Sequence, residues 1–140
     1  MLLCSSIGTV SGLAPGFHGF HIHEVGEHAN ACAAAAGPHF NPTYDPSVLD
    51  PSQRRAHGSP ISFTRHAGDL GNIFANLRGV AKVLIKDHKI SLVRTDQTFI
   101  GNRAIVIHTL KDDLGLGFNA ESLVTGNAGT RDGCGVINVI

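Results

Sequence analysis

Hydrophobic and polar residues alternate in six short segments of the chain. These segments cover residues 9–13, 17–23, 72–76, 79–86, 103–108 and 135–140, and Gly, Asn, Asp or Pro flanks each of them. Alternation with a period of two predicts β-strands that are buried on one face. The sequence therefore predicts two strands, a long loop over residues 24–71, three strands, a second loop over residues 109–132, and a final strand.

Length and composition favour a single all-β domain over residues 1–140. A chain of 140 residues is large enough for one hydrophobic core but not for two. Its 17 glycines and 6 prolines are spread along the sequence, as expected for tight turns between short strands. Lys and Arg together number 11, as do Asp and Glu, so the formal net charge is zero and no nucleic-acid partner is expected.

The first residues and the cysteines disfavour several other protein classes. Residues 1–4 lack the length, basic flank and cleavage site of a signal peptide, and they are too few to span a membrane. We therefore expect no membrane partner. Cys4, Cys32 and Cys134 allow at most one intramolecular disulfide, and none of them forms a C-x-x-C pair. A disulfide scaffold, a zinc ribbon and a thioredoxin-like motif are therefore disfavoured.

Histidines at alternating strand positions are the most distinctive chemical feature. Side chains of a strand point to opposite faces in turn, so His21 and His23 project from one surface while Phe20 and Ile22 face the core. By the same alternation, His108 points outward at the end of its strand. A His-x-His pair alone is more often a polar face than a metal site. We expect a metal site here because further metal donors accompany the pair.

The long loop supplies those further donors. His39, His57, His66 and Asp69 form a set of three nitrogens and one oxygen, which suits a tetrahedral zinc ion closed against solvent. Four imidazoles on the other side suit a copper ion that changes its oxidation state. The sequence therefore predicts two neighbouring metal ions.

The motifs that carry these donors resemble those of the copper/zinc superoxide dismutases. The similarity lies in GFHGFHIHE at 16–24, AGPHFN at 36–41, RHAGDLGN at 65–72, VIH at 106–108, DDLG at 112–115, GNAGTR at 126–131 and CGVI at 134–137. It extends from about residue 7 over nearly the whole chain, in the family's order. The resemblance implies a Greek-key β-barrel or sandwich and an antioxidant enzyme. Such an enzyme converts two superoxide anions into dioxygen and hydrogen peroxide by alternate reduction and oxidation of copper.

The resemblance also assigns roles to individual residues. It implies copper ligands at His21, His23, His39 and His108, and zinc ligands at His39, His57, His66 and Asp69. His39 would bridge both ions as an imidazolate and would carry a proton to the departing peroxide. The resemblance also implies that Asp112 is a carboxylate that links two ligand imidazoles and that Arg131 is an arginine that holds the anionic substrate. Finally, it implies a disulfide between Cys32 and Cys134.

The chain departs from the family pattern in ways that affect its fold and its assembly. Family members have two further strands before the segment that begins at residue 7, so we expect a barrel that lacks its first two strands and has uncovered sheet edges. The interval from His39 to His57 is longer than in the family. The missing strands and an extra residue within 101–103 both fall near a family dimer contact, so a homodimer is left open.

The second loop is more apolar than the family pattern. Val124 stands where family members often carry a lysine that attracts the substrate, and Leu116, Phe118 and Leu123 add further apolar side chains. We therefore predict weaker electrostatic steering of the substrate.

Alternatives to an active enzyme stay open at this point. One is a catalytically impaired chain whose incomplete barrel cannot hold metal, and another is a metal-binding module of the same fold that resembles a copper chaperone. Such a module usually carries a C-x-x-C segment or a replaced copper ligand, and neither is visible here. A copper chaperone is also one expected partner for metal loading. The expected compartment is the cytoplasm, with secretion as the alternative if an N-terminal signal is missing.

Overall fold

The computed structural model describes residues 4–26, 32–42 and 56–140 and shows an all-β fold. Its elements in chain order are β1 (Cys4–Ser11), β2 (Gly16–His23), α1 (Cys32–Ala35), β3 (Asp69–Ala75), β4 (Val80–Asp87), β5 (Ala104–His108), α2 (Ser122–Thr125) and β6 (Arg131–Val136). No helix within the described ranges is long and apolar enough to cross a membrane. The predicted all-β class is confirmed.

All neighbouring strands pair antiparallel in one curled sheet with the order β1-β4-β3-β2-β5-β6. The pairs β1·β4 and β2·β5 join strands that are not consecutive in the chain, as in the Greek-key barrels predicted from the resemblance. Within the described residues, β1 and β6 lie at the two edges of this half-barrel.

Six strands were predicted and six are seen in the described residues; three match within one residue at each end, whereas β1, β3 and β6 start three to five residues earlier than predicted. β1 starts at Cys4 rather than residue 9, because its polar first half pairs with β4 from Cys4↔Asp87 onward. β6 covers Arg131–Val136 rather than 135–140, because its pairing with β5 runs from His108↔Arg131 to Ala104↔Val136. The one-turn helices α1 and α2 lie in stretches that were predicted as loops.

Strand β2 is buried on both faces, which brings histidines into the interior. Phe20 and Ile22 belong to the hydrophobic core, as predicted. His21 and His23 lie on the opposite face, yet they are only 0% and 1% exposed. Both imidazoles thus share one face of β2 as predicted, but that face is covered, and the prediction that His108 points outward is wrong because His108 is 3% exposed.

Two loop segments are held against β2 by backbone hydrogen bonds. The Phe40 amide donates to the Ile22 carbonyl at 2.8 Å, and the Ile22 amide donates to the Gly68 carbonyl at 2.9 Å. A Cβ atom on Gly68 would lie 2.2 Å from the Ile22 carbonyl oxygen, so this close approach requires glycine. His39 directly precedes Phe40 and Asp69 directly follows Gly68 in the chain, so both are placed beside the histidines of β2.

Candidate metal centre

Four buried imidazoles from three parts of the fold converge on one point. His21 and His23 come from β2, His108 ends the neighbouring strand β5, and His39 forms an isolated β-bridge with His23. One ring nitrogen of each residue lies within 4.8 Å of the corresponding atoms of the others. We call His21, His23, His39 and His108 the first donor set.

The hydrogen bonds of these rings leave the converging nitrogens open for a cation. His21 Nδ1 and His39 Nε2 are buried without a hydrogen-bond partner among the described residues. His23 Nε2 and His108 Nε2 face each other at 3.3 Å, while His23 Nδ1 donates to the Gly37 carbonyl at 2.8 Å. A buried imidazole nitrogen without a partner is costly unless a metal ion accepts its lone pair. The first donor set therefore fits a metal that prefers imidazole ligands, such as copper.

A second group of donors converges around the carboxylate of Asp69. The Nδ1 atoms of His39, His57 and His66 lie 2.8, 3.0 and 3.2 Å from Asp69 Oδ1, although the His57 atom makes no hydrogen bond there. Asp69 Oδ2 is held in place by the amides of Gly58 at 3.1 Å and His66 at 2.9 Å. We call His39, His57, His66 and Asp69 the second donor set. Its three nitrogens and one oxygen fit a closed tetrahedral zinc site.

Burial keeps the imidazoles of the first donor set in the neutral form that binds metal. Burial, followed by the neighbouring His39, lowers the pKa of His23 to about 2. Burial also lowers the pKa of His108 to about 4, and burial together with His21 lowers the pKa of His39 to about 4. At neutral pH no proton has to leave a ring nitrogen of these neutral imidazoles before the metal binds to it.

One carboxylate connects the two donor sets, as the resemblance implied for Asp112. Its Oδ2 accepts a hydrogen bond from His21 Nε2 at 2.9 Å, and its Oδ1 accepts one from His57 Nε2 at 2.7 Å. Burial alone would raise the pKa of Asp112, but the hydrogen bonds with both rings lower it to about 2. Burial also lowers the pKa of His57, but the hydrogen bond to Asp112 and the nearby carboxylate of Asp69 outweigh it and raise the pKa to about 9.

Sequence reasoning missed two residues that support Asp112. The side chain of Asn72 on β3 donates to the Asp112 carbonyl at 2.9 Å and accepts from the Asp112 amide at 2.8 Å. Gly126 passes so close that a Cβ atom there would lie 2.0 Å from Asp112 Oδ1, and its φ is +69°. Both residues lie in stretches that carry the family resemblance, RHAGDLGN and GNAGTR, which was the only available signal.

Arg131 lies beside the first donor set at the start of β6. Its guanidinium donates to the Gly37 carbonyl at 2.5 Å, the same oxygen that accepts from His23 Nδ1. Burial is the main cause of the lowered pKa values of His23 and His108. The positive charge of Arg131 lowers both pKa values further, as expected for a cation near these rings. The structure thus places the predicted anion-binding group next to the predicted copper ligands.

Two further predictions concern residues at the border of the described part. Cys134 lies in β6, which packs against α1, whose first residue is Cys32. The side chain of Cys32 lies outside the described part, so the Cys32–Cys134 disulfide stays a prediction. Cys4 is a free cysteine, as implied by that pairing. Most of the long interval between His39 and His57, residues 43–55, also lies outside the described residues.

The fold and the two donor sets define a β-sheet protein with a paired metal centre rich in imidazole. The family described as copper/zinc superoxide dismutase (SODC) matches residues 4–137. The chain is 51% identical over 132 residues to the copper/zinc superoxide dismutase 3 of Arabidopsis thaliana, covering 94% of this chain and 73% of that protein. It therefore belongs to the copper/zinc superoxide dismutase family.

A second relative comes from an animal. The extracellular copper/zinc superoxide dismutase of Haemonchus contortus is 50% identical over 133 residues, which cover 95% of this chain and 66% of that protein. The predicted family, its copper and zinc cofactors and the predicted enzyme class are confirmed by these matches together with the two donor sets.

Proposed function

We propose that this chain converts two superoxide anions into dioxygen and hydrogen peroxide at the first donor set. The observation that carries the proposal is the convergence of four buried imidazole nitrogens within 4.8 Å, with His39 shared by the second donor set. The first donor set would hold copper and the second would hold zinc. Bound copper supplies one-electron redox chemistry, and bound zinc supplies a fixed positive charge.

His39 has the geometry of a shared ligand and a proton carrier. Its Nδ1 lies 2.8 Å from Asp69 in the second donor set, so the ring stays anchored on that side. Its Nε2 faces the first donor set without a partner among the described residues. This nitrogen can therefore take up a proton in one half of the cycle and give it to the product in the other half.

Arg131 would bind and orient the superoxide anion. The Gly37 carbonyl anchors its guanidinium and also anchors the His23 ring, so the two side chains keep a fixed relation to each other. A guanidinium stays charged at neutral pH and offers several donors in one plane. These properties suit a small anion that must approach the first donor set.

Assembly and location are proposals separate from the reaction. Superoxide is the substrate named by the family, whereas a homodimer and a copper chaperone are proposed partners. We propose a single domain over residues 1–140 and a cytoplasmic location. One relative is named extracellular, so secretion is the competing proposal.

Metal analysis and activity of the purified chain test the proposed function. We expect equimolar copper and zinc, and dismutation of superoxide that is lost when copper is removed by a chelator and regained when copper is added back. Zinc removal alone should leave copper bound and activity reduced. A chain that takes up both metals but shows no dismutation above free buffer would contradict the proposal and favour the metal-binding module.

The apolar second loop leads to a prediction about salt dependence. Val124 on α2 is 57% exposed, and α2 reaches the second donor set through a hydrogen bond from the His57 amide to the Leu123 carbonyl at 2.8 Å. We expect only a shallow fall in kcat/KM with ionic strength, and a Val124→Lys variant about threefold faster at low salt with a steeper fall.

Leu77 provides the control for this measurement. It is 92% exposed in the turn between β3 and β4, so Leu77→Lys adds the same charge away from α2. A steep salt dependence in the unaltered chain, or an equal gain in both variants, would contradict local steering by the second loop.

A further inference from the structure

The turn that follows β4 contacts the loop that carries most of the second donor set. Residues 57–69 of this loop contain His57, His66 and Asp69. The carboxylate of Asp87, the last residue of β4, contacts this loop and is only 3% exposed. Lys89, two residues further on, contacts the same loop at a different point.

Arg65 ties the backbone of two donors to β4. Its fully buried guanidinium forms an ion pair with Asp87. Arg65 Nη1 also donates to the carbonyls of His66 at 3.1 Å, Ala67 at 3.0 Å and Asp69 at 3.0 Å. Its Nε donates to the carbonyl of Pro60 at 3.1 Å, so one side chain spans both halves of the loop. The donor side chains therefore start from a backbone that is fixed to the sheet.

Lys89 fixes the middle of the loop. Its Nζ donates to the Phe63 carbonyl at 2.6 Å and to the Ser62 carbonyl at 3.3 Å, and it lies 5.9 Å from the centre of the Phe63 ring. The Lys89 amide donates to Asp87 Oδ1 at 2.7 Å, so the carboxylate that binds Arg65 also shapes the turn that presents Lys89. The two contacts thus form one structural unit.

We propose that Arg65, Asp87 and Lys89 are positioning residues that hold the loop at residues 57–69 in its metal-binding geometry before zinc binds. This inference rests on the proposed zinc site in the second donor set. A loop that is already ordered loses less conformational freedom when the ion binds, so zinc binds more tightly. None of the three residues would touch the ion, and each acts through the backbone of the donors.

Lys89→Met is the primary test, because its long apolar side chain keeps the packing and removes the donor. We expect zinc affinity of the metal-free protein, measured by competition with a chromophoric chelator, to fall about tenfold, at the lower end of effects seen for residues behind metal ligands. Amide hydrogen exchange at residues 58–69 of the metal-free protein should become faster. Lys89→Arg, which can still donate to both carbonyls, should restore affinity and protection.

Lys86→Met is the matched control, since it removes the same charge from an exposed position of β4. It should leave zinc affinity unchanged. Urea unfolding of each metal-free variant reports whether the fold is intact. Asp87→Asn would leave the buried guanidinium without its counter-ion, so it tests folding as well as zinc binding and is secondary.

The outcomes separate this inference from the proposed function. If the unaltered chain fails to bind zinc, the proposed zinc site and this inference both fall. If the unaltered chain binds zinc and Lys89→Met binds it equally well, the inference alone is overturned. The same holds if Lys89→Met lowers stability without changing zinc affinity, or if Lys86→Met loses as much affinity as Lys89→Met.

Discussion

Replacing His39 with alanine is expected to lower the rate of superoxide dismutation by roughly 10²–10⁴-fold, the range for loss of a positioned acid-base group. His39 contributes to both donor sets, with Nε2 in the first and Nδ1 next to Asp69 in the second. Alanine therefore removes a donor from each site and also removes the proton carrier. Copper affinity and zinc affinity should fall together, and the remaining activity should lose the proton supply that His39 gives.

His23→Ala is the control that isolates the shared role. His23 belongs to the first donor set, and its second nitrogen is bound to the Gly37 carbonyl rather than to any group of the second set. This variant should lose copper affinity and activity while it keeps zinc affinity. If His39→Ala also kept the zinc affinity of the unaltered chain, His39 would not bridge the two sites.

The sequence predicted the local part of this architecture well. Alternation around His21 and His23 placed both imidazoles on one face of a strand, and the position of His108 placed it at the end of another. These predictions depend only on the geometry of a single strand. The structure adds that β2 and β5 are neighbours, which is a long-range pairing that alternation cannot reveal.

Contacts between distant segments explain what the sequence did not predict. The histidines of β2 are buried because loop segments around Phe40 and Gly68 lie against the strand, and an alternating pattern does not show what covers a polar face. Asn72 in the middle of β3 and Lys89 just after β4 are polar residues of kinds that are usually solvated, and only the folded chain shows that they bind backbone near the donors. The bounds of β6 were wrong for the same reason, since its pairing with β5 sets its length.

Replacing Asp112 with asparagine is expected to lower metal affinity roughly 10–100-fold, the range for partners behind metal ligands. The open nitrogens of His21 and His57 are their Nδ1 atoms, so in neutral rings the proton sits on Nε2. Both Nε2 atoms then donate to Asp112, at 2.9 and 2.7 Å. An asparagine amide offers one oxygen and one NH2 group, and the NH2 group would face an N–H donor. At least one ring therefore loses its anchor, and zinc or copper affinity falls with it.

Most backbone contacts around Asp112 should survive this substitution, and the exception is the Leu114 amide, which donates to Asp112 Oδ1 at 2.7 Å. Asn72 binds the amide and carbonyl of residue 112, and these groups are unchanged in the variant. Asp113→Asn is the matched control, because that carboxylate accepts from Ser122 at 2.7 Å and Asn127 at 2.6 Å and contacts no imidazole among its described hydrogen bonds. Equilibrium titration with each metal, with the other site filled, would measure both affinities. Equal losses in the two variants, or unchanged affinities in Asp112→Asn, would show that the carboxylate stabilises the loop rather than orienting the metal-binding rings.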